Sequence, residues 1–329
     1  MLGSRKEVAM GMLLAVAADA AFGEPPEVAH PVAAFGRTMT RLESRVWADS
    51  KRSGLLYCGV GVGVGVGAGL LAALAGNLAG HKGRVAAVAV SGFTAVASRS
   101  LCETASGVAG ALAAKDIPLA RQRVRGLVGR SPDELDGAEI ARAAVESVAE
   151  NTVDAVIAPL VWGLLAGAPG VLAYRAVNTM DAMVGHHSTR YESFGWASAR
   201  LDDVANWLPA RVTVALALIC SPSKAGKILQ AVRSQAPAHP SPNAGVAEAA
   251  FAAALGIRLG GVNLYAGRLE TRPQLGQGRP GEPRDIETAC RLSRRVVLAA
   301  CGAIVAAWLL TSAWTSGSSY AVTRTPSQV

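Results

Sequence analysis

SGLLYCGVGVGVGVGAGLLAALAGNLAG, residues 53–80, carries no acidic or basic side chain from end to end. A helix that crosses a bilayer needs about 20 consecutive, mostly apolar residues. This stretch is long enough. The Gly–Val alternation at 59–69 could suggest a phosphate-binding loop, but neither GxGxxG nor GxxxxGK[ST] fits it. Gly59, Gly63 and Gly67 stand four apart, as do Gly61, Gly65 and Gly69. That is the small-residue spacing by which membrane helices approach closely. The stretch therefore reads as a packed membrane helix.

Other segments extend the pattern. Residues 296–323 and 155–174 are also uncharged. Residues 8–22 are interrupted by Asp19, 85–101 by Arg99, and 204–223 by Pro209 and Arg211. Hydrophobic residues make up 51% of the 329-residue chain and charged residues 17%, with mean hydropathy +0.30. Soluble domains carry about a quarter charged residues, so an alanine-rich soluble helical protein is the weaker alternative. The expected fold class is all-α: a polytopic integral membrane protein with about four to five transmembrane helices plus buried or interfacial helices. Residues 1–329 read as one membrane-embedded domain with polar regions at about 23–52, 102–154, 175–203 and 224–295.

Arg5 and Lys6 before an apolar run resemble a signal peptide. Asp19 and the following GEPP argue instead for an uncleaved first helix. The net charge is +8, as expected where cytoplasmic loops collect Lys and Arg. With 5 Phe, 5 Tyr and no compact basic run, no nucleic-acid partner is expected. Five scattered cysteines without CxxC give no disulfide framework and no zinc site. Residues 99–154 read as amphipathic helix, with SPDEL (131–135) as an N-cap. The stretch 272–284 reads as a flexible surface loop, and no β pattern is evident.

Residues 155–174 pose a topological problem. If they crossed, the polar sets on either side would be separated by the bilayer. Pro159 and GAPG (167–170) resolve it, because the residue before Pro169 disfavours the α conformation. We expect a buried hairpin turning near 167–170; a simple spanning helix is the alternative. Arg37, Arg41, Arg45, Lys51 and Arg52 place loop 23–52 in the cytoplasm of a multi-pass cell-membrane protein, with the active site facing the same side.

Two stretches carry chemistry. In ESVAENTVD (146–154), Glu146, Glu150 and Asp154 recur every four residues on one helix face. Clustered carboxylates repel one another unless a cation sits among them, and oxygen-rich sets suit Mg²⁺. The bland alternative is a solvated face paired with Arg142. The second stretch is YRAVNTMDAMVGHHSTRYESFGWASARLDDVANWLPAR (174–211). It holds Asn178 and Asp181, Asp202 with Asp203 and Asn206, and Arg175, Arg190, Arg200 and Arg211. Acids for a metal and arginines for phosphate oxygens suggest phosphate chemistry; interfacial ion pairs are the alternative. AHPVAAFGR (29–37) and HPSPNAG (239–245) alone say only "rigid turn", and His186 and His187 say little.

In their order along the chain, these motifs resemble the adenosylcobinamide-phosphate synthase (CobD/CbiB) family of cobalamin biosynthesis. The likeness runs from DAAFGEPPEVAHPVAAFGR to LGGVNLYAG (259–267). The departures are Glu24 where Asp is usual, Ser131 in VGRS, and Ala182 after NTMD. The resemblance implies an ATP-dependent amide ligase. It would join adenosylcobyric acid to (R)-1-amino-2-propanol phosphate, or to the free amino alcohol, using Mg²⁺ and ATP. On that reading Glu146, Glu150, Asp154 and Asp181 hold the metal, and Asp202, Asp203 and Arg200 act in catalysis. His30, Arg37, Arg175, Asn178, Asn206, Arg211, His239 and Asn243 bind substrate. The partners are the corrinoid, the amine and the lipid bilayer, with a homo-oligomer or a complex with other pathway proteins left open. A membrane sensor or transporter is the reading from another class; paired repeats would be expected of a transporter, and none is evident.

Overall fold

The computed structural model describes residues 3–128, 132–186, 188–265 and 268–319. The uncharged stretch is α3 (Lys51–Leu78), capped where the Ser50 hydroxyl accepts the Ser53 N–H. Its two glycine rows do different things. A Cβ on Gly61 would stand 2.2 Å from Met180 Sδ, on Gly65 2.7 Å from the Leu172 carbonyl, and on Gly69 2.3 Å from Pro169 Cα. This row is a close-packed seam. A Cβ on Gly59, Gly63 or Gly67 would meet nothing within 4 Å, and Val60, Val64, Leu70, Leu71 and Leu74 are exposed beside them. That outward apolar surface suits lipid, where small residues serve only at helix contacts.

α4 (Gly80–Phe93) returns antiparallel to α3, and α1 (Arg5–Phe22) runs parallel to α4. At one end Arg84 donates to Glu7 at 2.7 Å. At the other, the two charges that interrupt the apolar runs cap each other's helices. Asp19 Oδ2 accepts the Ser98 and Arg99 N–H groups, both at 3.1 Å, at the start of α5 (Ser98–Ala113). Arg99 donates to the Ala20 and Ala21 carbonyls at the end of α1. Both charges supply partners to helix termini that have none of their own.

After α6 (Ile117–Val124), α7 (Gly137–Thr152) starts later than SPDEL suggested. Asp136 is its N-cap, with a reciprocal bond to Glu139. An acid at the cap followed by Glu three residues on is the stronger signal; Ser131 lies outside the described residues. α8 (Ala158–Met180) reverses at Gly167, whose φ 62°, ψ −149° only glycine adopts readily. The reversal is deep. A Cβ on Gly170 would stand 2.3 Å from the Trp162 carbonyl, and the Tyr174 hydroxyl reaches the Asp154 carbonyl at 3.2 Å. The apex lies beside Gly3, Asn77 and Arg84, so the hairpin penetrates to the far end of the bundle before returning. Its buried backbone is shielded by protein, as membrane depth requires.

By length and composition five helical stretches can cross a membrane: 51–78, 80–113, 137–185, 196–220 and 283–310. The chain is a multi-pass membrane protein, but not all five run straight through. The third contains the Gly167 reversal. The fourth, α9 (Trp196–Cys220), keeps both ends on one side. Phe194, just before it, covers Gly54 at the start of α3, and Cys220 lies in electrostatic reach of Arg295 in α12 (Pro283–Ser319). Nearby Ser293 is hydrogen-bonded to Thr152 at the end of α7. α9 therefore lies across the bundle, with Trp207 stacked on Arg211, in keeping with aromatic and basic side chains at a membrane boundary.

α10 (Ala225–Ser234) and α11 (Ala244–Leu255) complete the helical part. The region read as lacking β structure contains a small sheet of order β2-β1-β3. β1 (Ile257–Tyr265) pairs antiparallel with β2 (Arg268–Leu275) and parallel with β3 (Arg279–Pro280). Thus 272–284 is not a loose loop: it closes β2, turns at Gly276 (φ 83°), forms β3 and enters α12. The signal is hidden because the register slips between Leu259 and Gly261. That bulge breaks the alternation begun by buried Ile257 and Leu259. The fold remains predominantly helical.

Candidate active site

The hairpin brings the two motif stretches together. Asp154 lies on the descending side and Asp181 on the returning side, each in a π-helical turn (Val153–Ile157 and Asp181–Gly185). Such turns widen a helix locally and are frequent at functional sites. Asn178 donates to Asp154 Oδ2 at 3.2 Å, and Arg175 donates to Asn178 Oδ1 at 3.2 Å. α9 supplies Asp202, whose Oδ2 accepts from Asn206 at 2.9 Å. Tyr174, which no sequence argument singled out, ties the parts together: its hydroxyl reaches Asn206 Oδ1 at 2.9 Å and the Asp154 carbonyl.

Asp154 lies in electrostatic reach of Glu150, Asp181 and Asp202. Among the described residues none of these four carboxylates has an ion-pair partner. Glu150 is exposed, and Asp154, Asp181 and Asp202 are half-buried. Their partial exposure makes the acids the wall of a partly open hollow rather than a sealed core. Two covered atoms beside it have no hydrogen-bond partner among the described residues: Asp202 Oδ1 and Arg175 Nε. Among the described residues no three Asp, Glu, His or Cys side chains already converge on one point. The donor set still fits Mg²⁺, a hard ion that prefers oxygen and keeps several waters. Glu150, Asp154 and Asp181 are the residues that would hold it.

Glu146 is drawn elsewhere. Its Oε1 accepts the Gly260 N–H at 2.8 Å and lies 3.9 Å from Arg142, whose guanidinium also binds the Gly260 carbonyl. The glycine bulge of β1 thus grips α7 at Glu146. Arg272 of β2, also missed from sequence, stands in electrostatic reach of Glu150. A cleft of about 270 Å³ beside this grip is lined by Arg142, Arg258, Gly260 and Gln274 among others.

The remaining candidates divide. Arg200 is exposed and pairs with Asp203 at 3.4 Å. Arg211 donates to Asn243 Oδ1 at 2.8 Å, and Asn243 donates to the Asp203 carbonyl at 2.7 Å, so this trio pins the 239–245 loop to α9. The His-Pro loops use one device twice. His30 Nδ1 accepts the Val32 N–H at 3.2 Å, and His239 Nδ1 accepts the Ser241 N–H at 3.1 Å. His30 is also in electrostatic reach of Arg175, and burial pushes its pKa down, so the imidazole is neutral at pH 7. With Nδ1 accepting, the proton sits on Nε2, 3.6 Å from Glu24. Arg37 is exposed on α2 (Pro31–Val46) and is not joined to the acids. His186 lies edge-on to Tyr191; His187 is outside the described residues.

Residues 12–293 match the sequence profile of the family described as CobD/Cbib protein. The chain belongs to the CobD/CbiB family. A CobD/CbiB relative from Mycobacterium tuberculosis, named cobalamin biosynthesis protein CobD, is 44% identical over 92% of this chain and 96% of its own length. Proteins of the same name from Rhodobacter capsulatus and Geobacter metallireducens are each 41% identical, covering 87% and 92% of this chain and 93% and 96% of their own lengths. No solved structure matches. The CobD/CbiB match takes in every carboxylate of the hollow.

Proposed function

We propose that the chain acts in cobalamin biosynthesis as the ATP-dependent ligase that joins (R)-1-amino-2-propanol phosphate, or free aminopropanol, to adenosylcobyric acid. The product with the phosphate is adenosylcobinamide phosphate. Family membership and the relatives' names support the pathway. The observation that carries the chemistry is the meeting of Glu150, Asp154 and Asp181 with the unpartnered Asp202 Oδ1 and Arg175 Nε in one hollow.

A carboxylate needs activation before an amine can displace its oxygen. In the proposed route a corrinoid carboxylate oxygen attacks the γ-phosphorus of ATP, and the bond to ADP breaks. The substrate ammonium gives a proton to Asp202, whose Oδ1 has no hydrogen-bond partner among the described residues. The amine nitrogen then forms the C–N bond and gives up its second proton to the departing phosphate, which leaves with the C–O bond pair. Arg175 is placed to hold phosphate oxygens through its fork of donors. Mg²⁺ bound by Glu150, Asp154 and Asp181 would neutralise phosphate charge. Asp203 and Arg200, paired with each other, are assigned to shaping the rim. Asn206 positions Asp202 through its hydrogen bond, and His30 stands in electrostatic reach of Arg175. His239, Asn243 and Arg211 hold the 239–245 loop as a wall of the hollow.

Loop 23–52 packs on the segment that follows Asp181, where Trp47 donates to the Arg190 carbonyl at 3.3 Å, and its Arg/Lys content favours the cytoplasmic side of the cell membrane, where ATP is available. The test is complementation of a strain that needs cobinamide. The wild-type chain should restore growth on cobyric acid, and Glu150→Gln or Asp154→Asn, at equal membrane abundance, should not. Full growth with both variants would refute the metal assignment.

A further inference from the structure

α2 presents two unlike faces. Met39 is fully covered, and Phe35, Leu42 and Val46 pack beside it against Tyr57, Met180 and Phe194. On the other side Arg37, Arg41 and Arg45 recur every four residues, hence along one face, and all three are exposed. Among the described residues none of their guanidinium groups has a hydrogen-bond or ion-pair partner. Glu43, the acid of the same helix, is buried and taken by Arg190 and Tyr191, each at 2.9 Å. Exposed Lys51 and Arg52 follow at the start of α3, with Asp49 the exposed acid before them.

Exposed apolar side chains bracket this stripe. Phe22 is 80% and Val28 91% exposed before α2, and Trp47, Leu55 and Leu56 are exposed after it. Trp47 stacks with Arg190 at 4.5 Å and Trp196 with Lys51 at 4.9 Å. Tryptophans paired with cations, next to bare aliphatic surface, mark the level where hydrocarbon gives way to headgroups. A cationic helix face at that level meets phosphate esters. Arginine forks bind phosphate oxygens bidentately, and each basic residue near an anionic surface contributes about a fivefold preference.

We propose that the Arg37–Arg41–Arg45 face of α2 lies in the headgroup layer and binds the phosphates of anionic phospholipids. The site is separate from the acid-lined hollow, and the proposal does not rest on the ligase reading.

The full chain would be placed in nanodiscs of mixed phosphatidylcholine and phosphatidylglycerol, and the retained lipids counted by native mass spectrometry. Phosphatidylglycerol should be enriched over its bulk share. Arg37→Gln/Arg41→Gln/Arg45→Gln together should lower that enrichment roughly tenfold or more, and the triple lysine variant should keep most of it. Equal melting of the three proteins in phosphatidylcholine alone establishes that the variants are folded. No enrichment in the wild type, or the same enrichment in the glutamine variant, would overturn the proposal. A soluble phosphate site makes a different prediction: inorganic phosphate would stabilise the wild type, but not the glutamine variant, in phosphatidylcholine discs. That result would also overturn it.

Discussion

Asp154, Asp181 and Asp202 lie within electrostatic reach of one another with no ion-pair partner among the described residues, and like charges held together oppose folding unless a cation joins them. Removing one charge should therefore help the empty protein and harm the working one. Asp202→Asn is expected to raise the melting temperature in EDTA and to lower turnover by about 10²–10⁴-fold, the usual worth of a general base. Unchanged turnover would remove Asp202 from the chemistry. Asp19 should behave in the opposite way. Asp19→Ala leaves the Ser98 and Arg99 N–H groups without their cap and should cost about 1–2 kcal/mol of stability, read as a lower melting temperature, with little change in turnover per folded molecule. Which side chains gather around the candidate site was in large part legible. Regular four-residue spacing exposed Glu150 and Asp154, and dense motifs exposed Asp181, Asp202 and Arg175. Glu146 followed the same spacing, yet it serves the Gly260 bulge. Spacing along a helix says which face a side chain shares, not which neighbour arrives from elsewhere in the chain. Tyr174 and Arg272 were missed for that reason.

At the scale of elements, the two glycine rows of α3 make a paired prediction. Gly65→Val would drive a side chain into the Leu172 carbonyl and Ala176 and should cost about 1–3 kcal/mol or prevent folding. Gly63→Val would enter open space and should melt within a few degrees of the wild type. If both variants behaved alike, the assignment of the packed row would be wrong. The seam also explains why the α8 hairpin can exist: Gly69 lets Pro169 come close enough to cover the turn at Gly167. The hairpin was legible because GAPG cannot continue a helix, and because a straight helix would have divided the polar motifs. The β1–β2 sheet was not, because the Gly260–Gly261 bulge interrupts its period after two buried residues. Asp19 and Arg99 looked like flaws in membrane spans; as mutual caps of α1 and α5 they are what the helix ends require.

In the whole molecule Glu7, Arg84 and the Gly167 apex stand at one end of the bundle, with the acid-lined hollow and α2 at the other. Single cysteines at Ser44 and Lys82, both exposed, in a chain otherwise free of cysteine, should be labelled from opposite sides of the membrane. Ser44→Cys should react with a membrane-impermeant maleimide only after the cytoplasmic face is opened, and Lys82→Cys in intact cells. The reverse pattern would invert the orientation and place the hollow away from ATP. The central claim is amide formation, and it is tested most directly by mass spectrometry of the corrinoid pool. The purified protein in lipid would be incubated with adenosylcobyric acid, Mg-ATP and aminopropanol phosphate or free aminopropanol. The expected product is a new corrinoid of amide mass, stoichiometric with phosphate released from ATP and absent with Asp154→Asn. Well-folded wild-type protein that turns over neither amine would contradict it.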